Sequence, residues 1–339
     1  MRNWCASLFA VQIILAVCGV AASQTLDQQE QSCLADNPND PDVVIRGCTA
    51  LIGSGQGTNL SLNLAFYHRA VAYRDKGQYD RAIQDLDQCI RLDPKDNIAH
   101  YSRGAIYSHL GQYDRAIRDY NQAIRLNPTF VEALHNRGSA YDATGQYERA
   151  IQDYDQCIRL DPKNAIAFFS RGTVYSHRGQ YDQAIRDYGQ AIRIEPNFIG
   201  ALVNRGFAYD AKGQYDRAIQ DYDQAIRIDP NEANVFVDRG TAYDAKGQHD
   251  RAIQDYDQAI RIDPNDADAF VDRGTAYDAK GQYDRAIQDY DQAIRLNPND
   301  AGSFLNRGKT LLSQGQKAQA AADFAKAKQL NPDLAIPKE

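Results

Sequence analysis

The stretch GQYDRAIQDYDQAIRIDP, Gly213 to Pro230, decides how this chain folds. Its residues Ala218, Ile219, Tyr222, Ala225 and Ile226 fall three or four apart, the spacing of a helix with one apolar face. Gly213 stands before that run and Pro230 after it, residues that punctuate helices rather than fill them. Four aspartates are interleaved, Asp216, Asp221, Asp223 and Asp229. They are candidates for a catalytic array, a ligand surface, or the wet side of a building block.

The pattern recurs with a fixed period. Gly77, Gly111, Gly145, Gly179, Gly213, Gly247, Gly281 and Gly315 are spaced by 34, and Pro94, Pro128, Pro162, Pro196, Pro230, Pro264, Pro298 and Pro332 keep the same step. Eight repeats therefore occupy 63–96, 97–130, 131–164, 165–198, 199–232, 233–266, 267–300 and 301–334. With Ile199 as position 1 of the fifth, positions 3, 4, 8, 10 and 11 form one apolar helical pattern. Positions 17, 20, 21, 24, 27, 28 and 30 form a second, and the glycine at position 15 divides the two. Each repeat is predicted to be a helical hairpin. None can bury its apolar face alone, so neighbours must stack.

In this register the sequence resembles the tetratricopeptide repeat family, on Gly206, Tyr209, Gly213, Tyr215, Ala218, Tyr222, Ala225 and Pro230 in the fifth repeat and their counterparts elsewhere. The resemblance implies an all-α, right-handed superhelical solenoid of helix-turn-helix repeats, acting as a non-catalytic scaffold for protein or peptide partners. One departure stands out. Where the family commonly has leucine at position 7, every repeat has arginine: Arg69, Arg103, Arg137, Arg171, Arg205, Arg239, Arg273 and Arg307. Position 23 is aspartate throughout: Asp85, Asp119, Asp153, Asp187, Asp221, Asp255, Asp289 and Asp323. Arginine's planar fork suits a carboxylate held between helices, and an unpaired buried guanidinium would be costly, so these residues are expected to pair. A row of eight anion sites is the alternative. Asp216 and Asp223 are expected to be solvated surface.

Both ends depart from the period. Arg2, the apolar run Leu8 to Val20 and the small residues Ala21-Ala22-Ser23 have the organisation of a secretory signal peptide, residues 1–23, cleaved on export to the periplasm or the medium. The run is too short and too interrupted for a stable membrane span. Residues 24–62 form a divergent leading hairpin in which DVVIRGCTALI aligns with DRAIQDYDQAI and places Cys48 at position 24. Cys33 lies on the preceding segment, and a Cys33–Cys48 disulfide suits an exported protein, with free or metal-binding thiols as the alternative. Cys89 and Cys157 replace alanine at position 27 and read as buried thiols. The eighth repeat replaces isoleucine at positions 21 and 28 by Ala321 and Lys328, as a terminal cap should, and 335–339 is a tail.

Function is sought at positions 2, 5, 9 and 12, which share one side of the first helix and vary between repeats. In the family this side lines the inner wall of the superhelix. Here the first four repeats offer an apolar track of Leu64, Tyr67, Ile98, Tyr101, His135, Ile166 and Phe169. Later repeats offer acids: Asp210, Asp244 and Asp278 at position 12, preceded by Asp142, together with Asp238, Asp268 and Asp272. The pattern suits a peptide or protein with apolar anchors and a basic segment. The same acids could serve only to keep a repetitive chain soluble. The family's lysine and asparagine clamp for carboxylate tails is not matched at positions 5 and 9.

The composition narrows the alternatives. Lys and Arg total 38 against 45 Asp and Glu, spread without a basic stripe, so nucleic acid is not expected as a partner. Nineteen of the 21 tyrosines sit at positions 11, 17 and 24, which makes them core rather than a stacking platform. The six histidines form no HExxH pair, and no catalytic residue, metal ligand or cofactor site is expected. An exported carrier of a small cationic or glycan ligand is the alternative to the scaffold.

Overall fold

The computed structural model describes residue 33, residues 40–55 and residues 57–337. The expected signal peptide, most of 24–39 and the last two residues of the tail lie outside the described residues. Among the described residues seventeen helices follow one another from Pro41 onward, and there is no strand. They fall into two compact bodies divided between Pro162 and Lys163. The first holds α1 (Pro41–Ser54), α2 (Asn59–Asp75), α3 (Tyr79–Leu92), α4 (Asn97–His109), α5 (Tyr113–Leu126), α6 (Val131–Ala143) and α7 (Tyr147–Leu160). The second holds α8 (Ala165–His177), α9 (Tyr181–Ile194), α10 (Ile199–Asp210), α11 (Tyr215–Ile228), α12 (Ala233–Ala245), α13 (His249–Ile262), α14 (Ala267–Ala279), α15 (Tyr283–Leu296), α16 (Ala301–Ser313) and α17 (Lys317–Leu330). Within each body every helix packs on the next in chain order.

The hairpin geometry follows from two positions. The glycine at position 15 takes a φ between +68° and +78° in all eight repeats, a left-handed conformation open to glycine at little cost. In the fifth repeat the Gln214 amide then donates to the Tyr209 carbonyl at 2.8 Å, and the Gly213 amide to the Asp210 carbonyl at 2.7 Å, closing the first helix. Position 8 sets how closely the two helices approach. A Cβ added to Gly206 would stand 2.6 Å from the Tyr222 ring, and the same conflict of ring and Cβ recurs at Gly104, Gly138, Gly172, Gly240, Gly274 and Gly308. The first repeat pairs Ala70 with the smaller Leu86 in one buried cluster. Glycine at position 8 and an aromatic ring at position 24 are thus one packing decision.

Both ends are sealed. Cys33 and Cys48 are joined by a disulfide and buried with Leu51 and Ala65. The leading helix α1 keeps the register of the repeats, because Thr49 and Asp42, aligned with positions 25 and 18, accept from Arg69 at 2.9 Å and Lys76 at 2.5 Å. At the other end Ile336 packs against Leu311, Ala320 and Phe324, so the tail covers part of the final repeat's apolar surface. Lys328, on α17 where isoleucine would pack, donates instead to the Pro332 carbonyl at 2.8 Å.

Candidate functional site

All eight arginines of position 7 form two-pronged bonds with the aspartate of position 23 in their own repeat. Nε and Nη2 of Arg69 meet both oxygens of Asp85 at 2.8 and 2.7 Å. The same geometry joins Arg103 to Asp119, Arg137 to Asp153, Arg171 to Asp187 and Arg205 to Asp221. It also joins Arg239 to Asp255, Arg273 to Asp289 and Arg307 to Asp323. The aspartates are buried, at 5 or 6% exposure, and each pair ties the first helix of a hairpin to the second.

The solvated role expected for Asp223 is corrected by the structure, whereas Asp216 is exposed, as expected. Nη1 of Arg239 reaches back to Asp223 of the preceding repeat at 2.5 Å, so one guanidinium joins three helices. Arg103 does the same with Asp87, Arg137 with Asn121, Arg273 with Asp257 and Arg307 with Asp291. Asp216 accepts from Lys246, as Asp182 does from Lys212 and Asp250 from Lys280, through a link from position 14 to position 18 of the repeat before. Such rungs need charges one repeat apart, which local pattern does not display.

The wall residues separate into exposed and packed groups. In the first body Leu64 is 37% and Ile98 41% exposed. Tyr67 and Tyr101 are half-buried, and the Tyr101 hydroxyl accepts from Asn136 at 3.1 Å while its ring lies 4.8 Å from that of Phe130. The His135 ring lies 5.4 Å from that of Tyr154, tilted 56° to it, and burial lowers the His135 pKa. Asp142 is half-buried on α6. Position 5 therefore supports the wall more than it decorates it, because its side chains fill the space beside the ring at position 24. In the second body Phe169 likewise packs 4.8 Å from Phe198, whereas Ile166 is 55% exposed. Phe207, at position 9, is 52% exposed; it was recognisable as the one aromatic residue at that position in any repeat.

The acids of the second body are not equivalent. Asp278 accepts from Thr310 at 2.7 Å, and Asp244 lies 2.6 Å from His249 Nδ1. Asp268 is exposed at the start of α14. Asp210 is half-buried on α10, three residues from Phe207 and thus beside it on the helix; its Oδ1 is buried and has no hydrogen-bond partner. Burial raises the Asp210 pKa. Asp238 is pushed up to about 6, first by burial and then by the Asp210 carboxylate. Asp272 is also pushed up to about 6, by burial and then by Asp268, Asp266 and Asp244. No cationic side chain among the described residues bonds to Asp210, Asp238 or Asp272, whereas Lys212, Lys246 and Lys280 are each engaged by another aspartate.

The remaining surface offers little for chemistry. Crevices recur at the turns, such as that lined by Gly247, Gln248, His249, Asp250, Arg251 and Lys280, and they repeat with the backbone rather than with the wall. Among the described residues no group of three His, Cys, Asp or Glu side chains could hold a metal ion. Cys89 and Cys157 are buried, and burial pushes both thiols up to about 12.

Profiles described as TPR repeat match residues 70–111, 174–213, 240–281 and 274–315. Profiles described as Tetratricopeptide repeat match 98–130, 131–164, 200–232, 153–186, 221–254 and 301–334. No curated protein matches the chain. Among solved structures, a tetratricopeptide repeat protein from Parabacteroides merdae ATCC 43184 is 21% identical over 74% of this chain and 98% of its own, with a TM-score of 0.57. The C-terminal part of a TPR repeat-containing protein from Cytophaga hutchinsonii is 18% identical over 71% of this chain and 98% of its own, with a TM-score of 0.61. At such identities the likeness is one of fold. With hairpin, turn glycine and 34-residue period repeated eight times and the profile matches running without a gap from residue 70 to 334, the chain belongs to the tetratricopeptide-repeat family.

Proposed function

We propose that this protein is an exported, non-catalytic interaction scaffold that binds a polypeptide along the first-helix wall of its second body, through apolar anchors and a basic segment. The observation that carries this reading is the juxtaposition on α10 of an exposed Phe207 with the half-buried, unneutralised Asp210, continued by Asp238 and Asp272 on the following first helices. A folded chain gains nothing from carboxylates held in a desolvating wall without cations. A partner's lysine or arginine supplies the missing charge, and a neighbouring apolar side chain covers Phe207 or Ile166. Acids needed only for solubility would sit fully in water, as Asp268 does.

Export is supported by the organisation of residues 1–23 and by the buried Cys33–Cys48 disulfide, a bond that persists in oxidising compartments. The near-identity of the sixth and seventh repeats, which differ at five positions, suits a partner with a repeated basic feature better than one with a single shaped epitope.

The test is capture from the exported-protein fraction by tagged wild type and by an Asp210→Lys/Asp272→Lys variant. A specific polypeptide held by the first and lost by the second, with lower retention at higher salt, is the expected result. Equal retention by both overturns the reading of the wall.

A further inference from the structure

The position 7 arginines do not all complete the same set of contacts. Nη1 of Arg103, Arg137, Arg239, Arg273 and Arg307 donates at 2.5 or 2.6 Å to a side-chain oxygen at position 25 of the preceding repeat. Arg69 uses Thr49 of the leading helix for the same purpose, at 2.9 Å. Arg205 breaks the series. Its Nε and Nη2 hold Asp221 at 2.8 and 2.6 Å, but position 25 of the repeat before it is Gly189. Among the described residues no acceptor meets Arg205 Nη1.

The vacancy is aimed at that nitrogen. A Cβ built on Gly189 would stand 3.5 Å from Arg205 Nη1, an ordinary contact, and no other atom comes within 4 Å of it. Gly189 is half-exposed on α9 and the Arg205 side chain is 21% exposed, so the notch opens to solvent. Five sister repeats place aspartate here; what Gly189 omits relative to them is a CH2–COO⁻ group, which is acetate in size and shape. Charge agrees with shape. In the set Asp255–Arg239–Asp223 two carboxylates share one guanidinium, whereas Arg205 has only Asp221.

We propose that Gly189 and Arg205 form a binding notch for one carboxylate supplied from outside the chain, either a small free carboxylate or the side-chain or C-terminal carboxylate of a polypeptide. The incoming oxygen accepts from Nη1 while Asp221 keeps the other two arms, and the carbon behind it fills the space above Gly189. Position 7 lies about 180° round the first helix from positions 2, 5, 9 and 12, at 100° per residue, so this notch does not depend on the wall. Solvent competes for a partly exposed guanidinium, which makes the notch an orienting contact for a larger partner rather than a tight site by itself.

The test is nuclear magnetic resonance on the full chain, following the Gly189 amide and the Arg205 Nε–H during titration with sodium acetate against sodium chloride at equal ionic strength and pH 7. Saturable shifts at both groups in the wild type, absent in Gly189→Asp, are expected, because the introduced aspartate occupies the notch as it does in the sister repeats. Linear, unsaturating shifts, or the same response in Gly189→Asp, overturn the proposal. Acetyl-Ala-Ala with a free C-terminus and acetyl-Glu-Ala-amide separate the polypeptide sources from free acetate. A thermal measurement stands beside the titration: Gly189→Asp should melt higher than Gly189→Ala, and the reverse order would show that Nη1 does not seek a carboxylate there.

Discussion

Replacing Asp221 by alanine should cost far more than replacing Asp223, two residues along the same helix. Asp221 is 5% exposed and takes two charge-assisted bonds from Arg205. Because Gly189 offers no second acceptor, its loss leaves that guanidinium without any carboxylate. Removing one member of a buried ion pair costs about 3–5 kcal/mol; with the Arg205 side chain 21% exposed, the lower end, about 3 kcal/mol, applies. Asp223 accepts one bond from Arg239, which keeps both bonds to Asp255, and the Asp223 side chain is 36% exposed. About 0.5 kcal/mol is then expected. Urea unfolding gives the first comparison, but stacked repeats need not unfold as one unit. Hydrogen exchange in α10 and α11 should therefore show the larger local opening in Asp221→Ala. A paired Arg205→Met/Asp221→Leu variant should keep more stability than Asp221→Ala, since it leaves no orphaned charge. Equal losses for Asp221→Ala and Asp223→Ala would refute the pairing argument.

Three further expectations follow from the packing and the titrating groups. Gly206→Ala should lose about 1–3 kcal/mol by overpacking against Tyr222, and adding Tyr222→Leu should recover part of it by reproducing the Ala70 and Leu86 of the first repeat; additive losses in a double-mutant cycle would contradict this. Reduction of Cys33–Cys48, a closure across 15 residues, should weaken α1 by about 3 kcal/mol, seen as faster hydrogen exchange in α1 but not in α17; native Cys89 and Cys157 should resist alkylation throughout. Asp238 and Asp272, pushed up to about 6 by burial and then by neighbouring acids, hold protons in the folded chain between about pH 4 and 6 that the unfolded chain has lost. Stability should fall as pH rises through that window, and Asp238→Asn should gain on the order of 2 kcal/mol at pH 7, measured by urea unfolding; a variant less stable than wild type at pH 7 would contradict the assignment.

The fold was legible because its determinants recur in phase. A left-handed glycine at position 15, proline at position 32 and a fixed apolar set leave no other reading once repeated eight times. Arginine at position 7 and aspartate at position 23 were legible for the same reason, since both recur in all eight repeats and a two-pronged bond needs a guanidinium facing a carboxylate. Position 25 was not, because a single Nη1 arm accepts aspartate, asparagine or, at Gly189, nothing, and such variety looks like surface. The wall was half legible. Helical spacing identifies its side of the helix but not that Tyr101, His135 and Phe169 turn under it onto neighbouring rings, nor that Phe207 stays out. The tail was opaque, since its contact through Ile336 depends on an apolar surface uncovered only where the repeats stop.

The wall itself is tested most directly by fluorescence anisotropy with one labelled peptide, two leucines followed by three lysines in an extended nonapeptide, against wild type and Asp210→Asn/Asp238→Asn/Asp272→Asn. Those substitutions remove desolvated like charges, so the variant should be the more stable protein, and any loss of binding is then not a loss of folding. Salt-sensitive binding to the wild type, at least tenfold weaker in the variant and weaker below about pH 6 as the carboxylates protonate, is the expected result. Equal affinity for both proteins, or binding indifferent to salt and pH, would contradict the account.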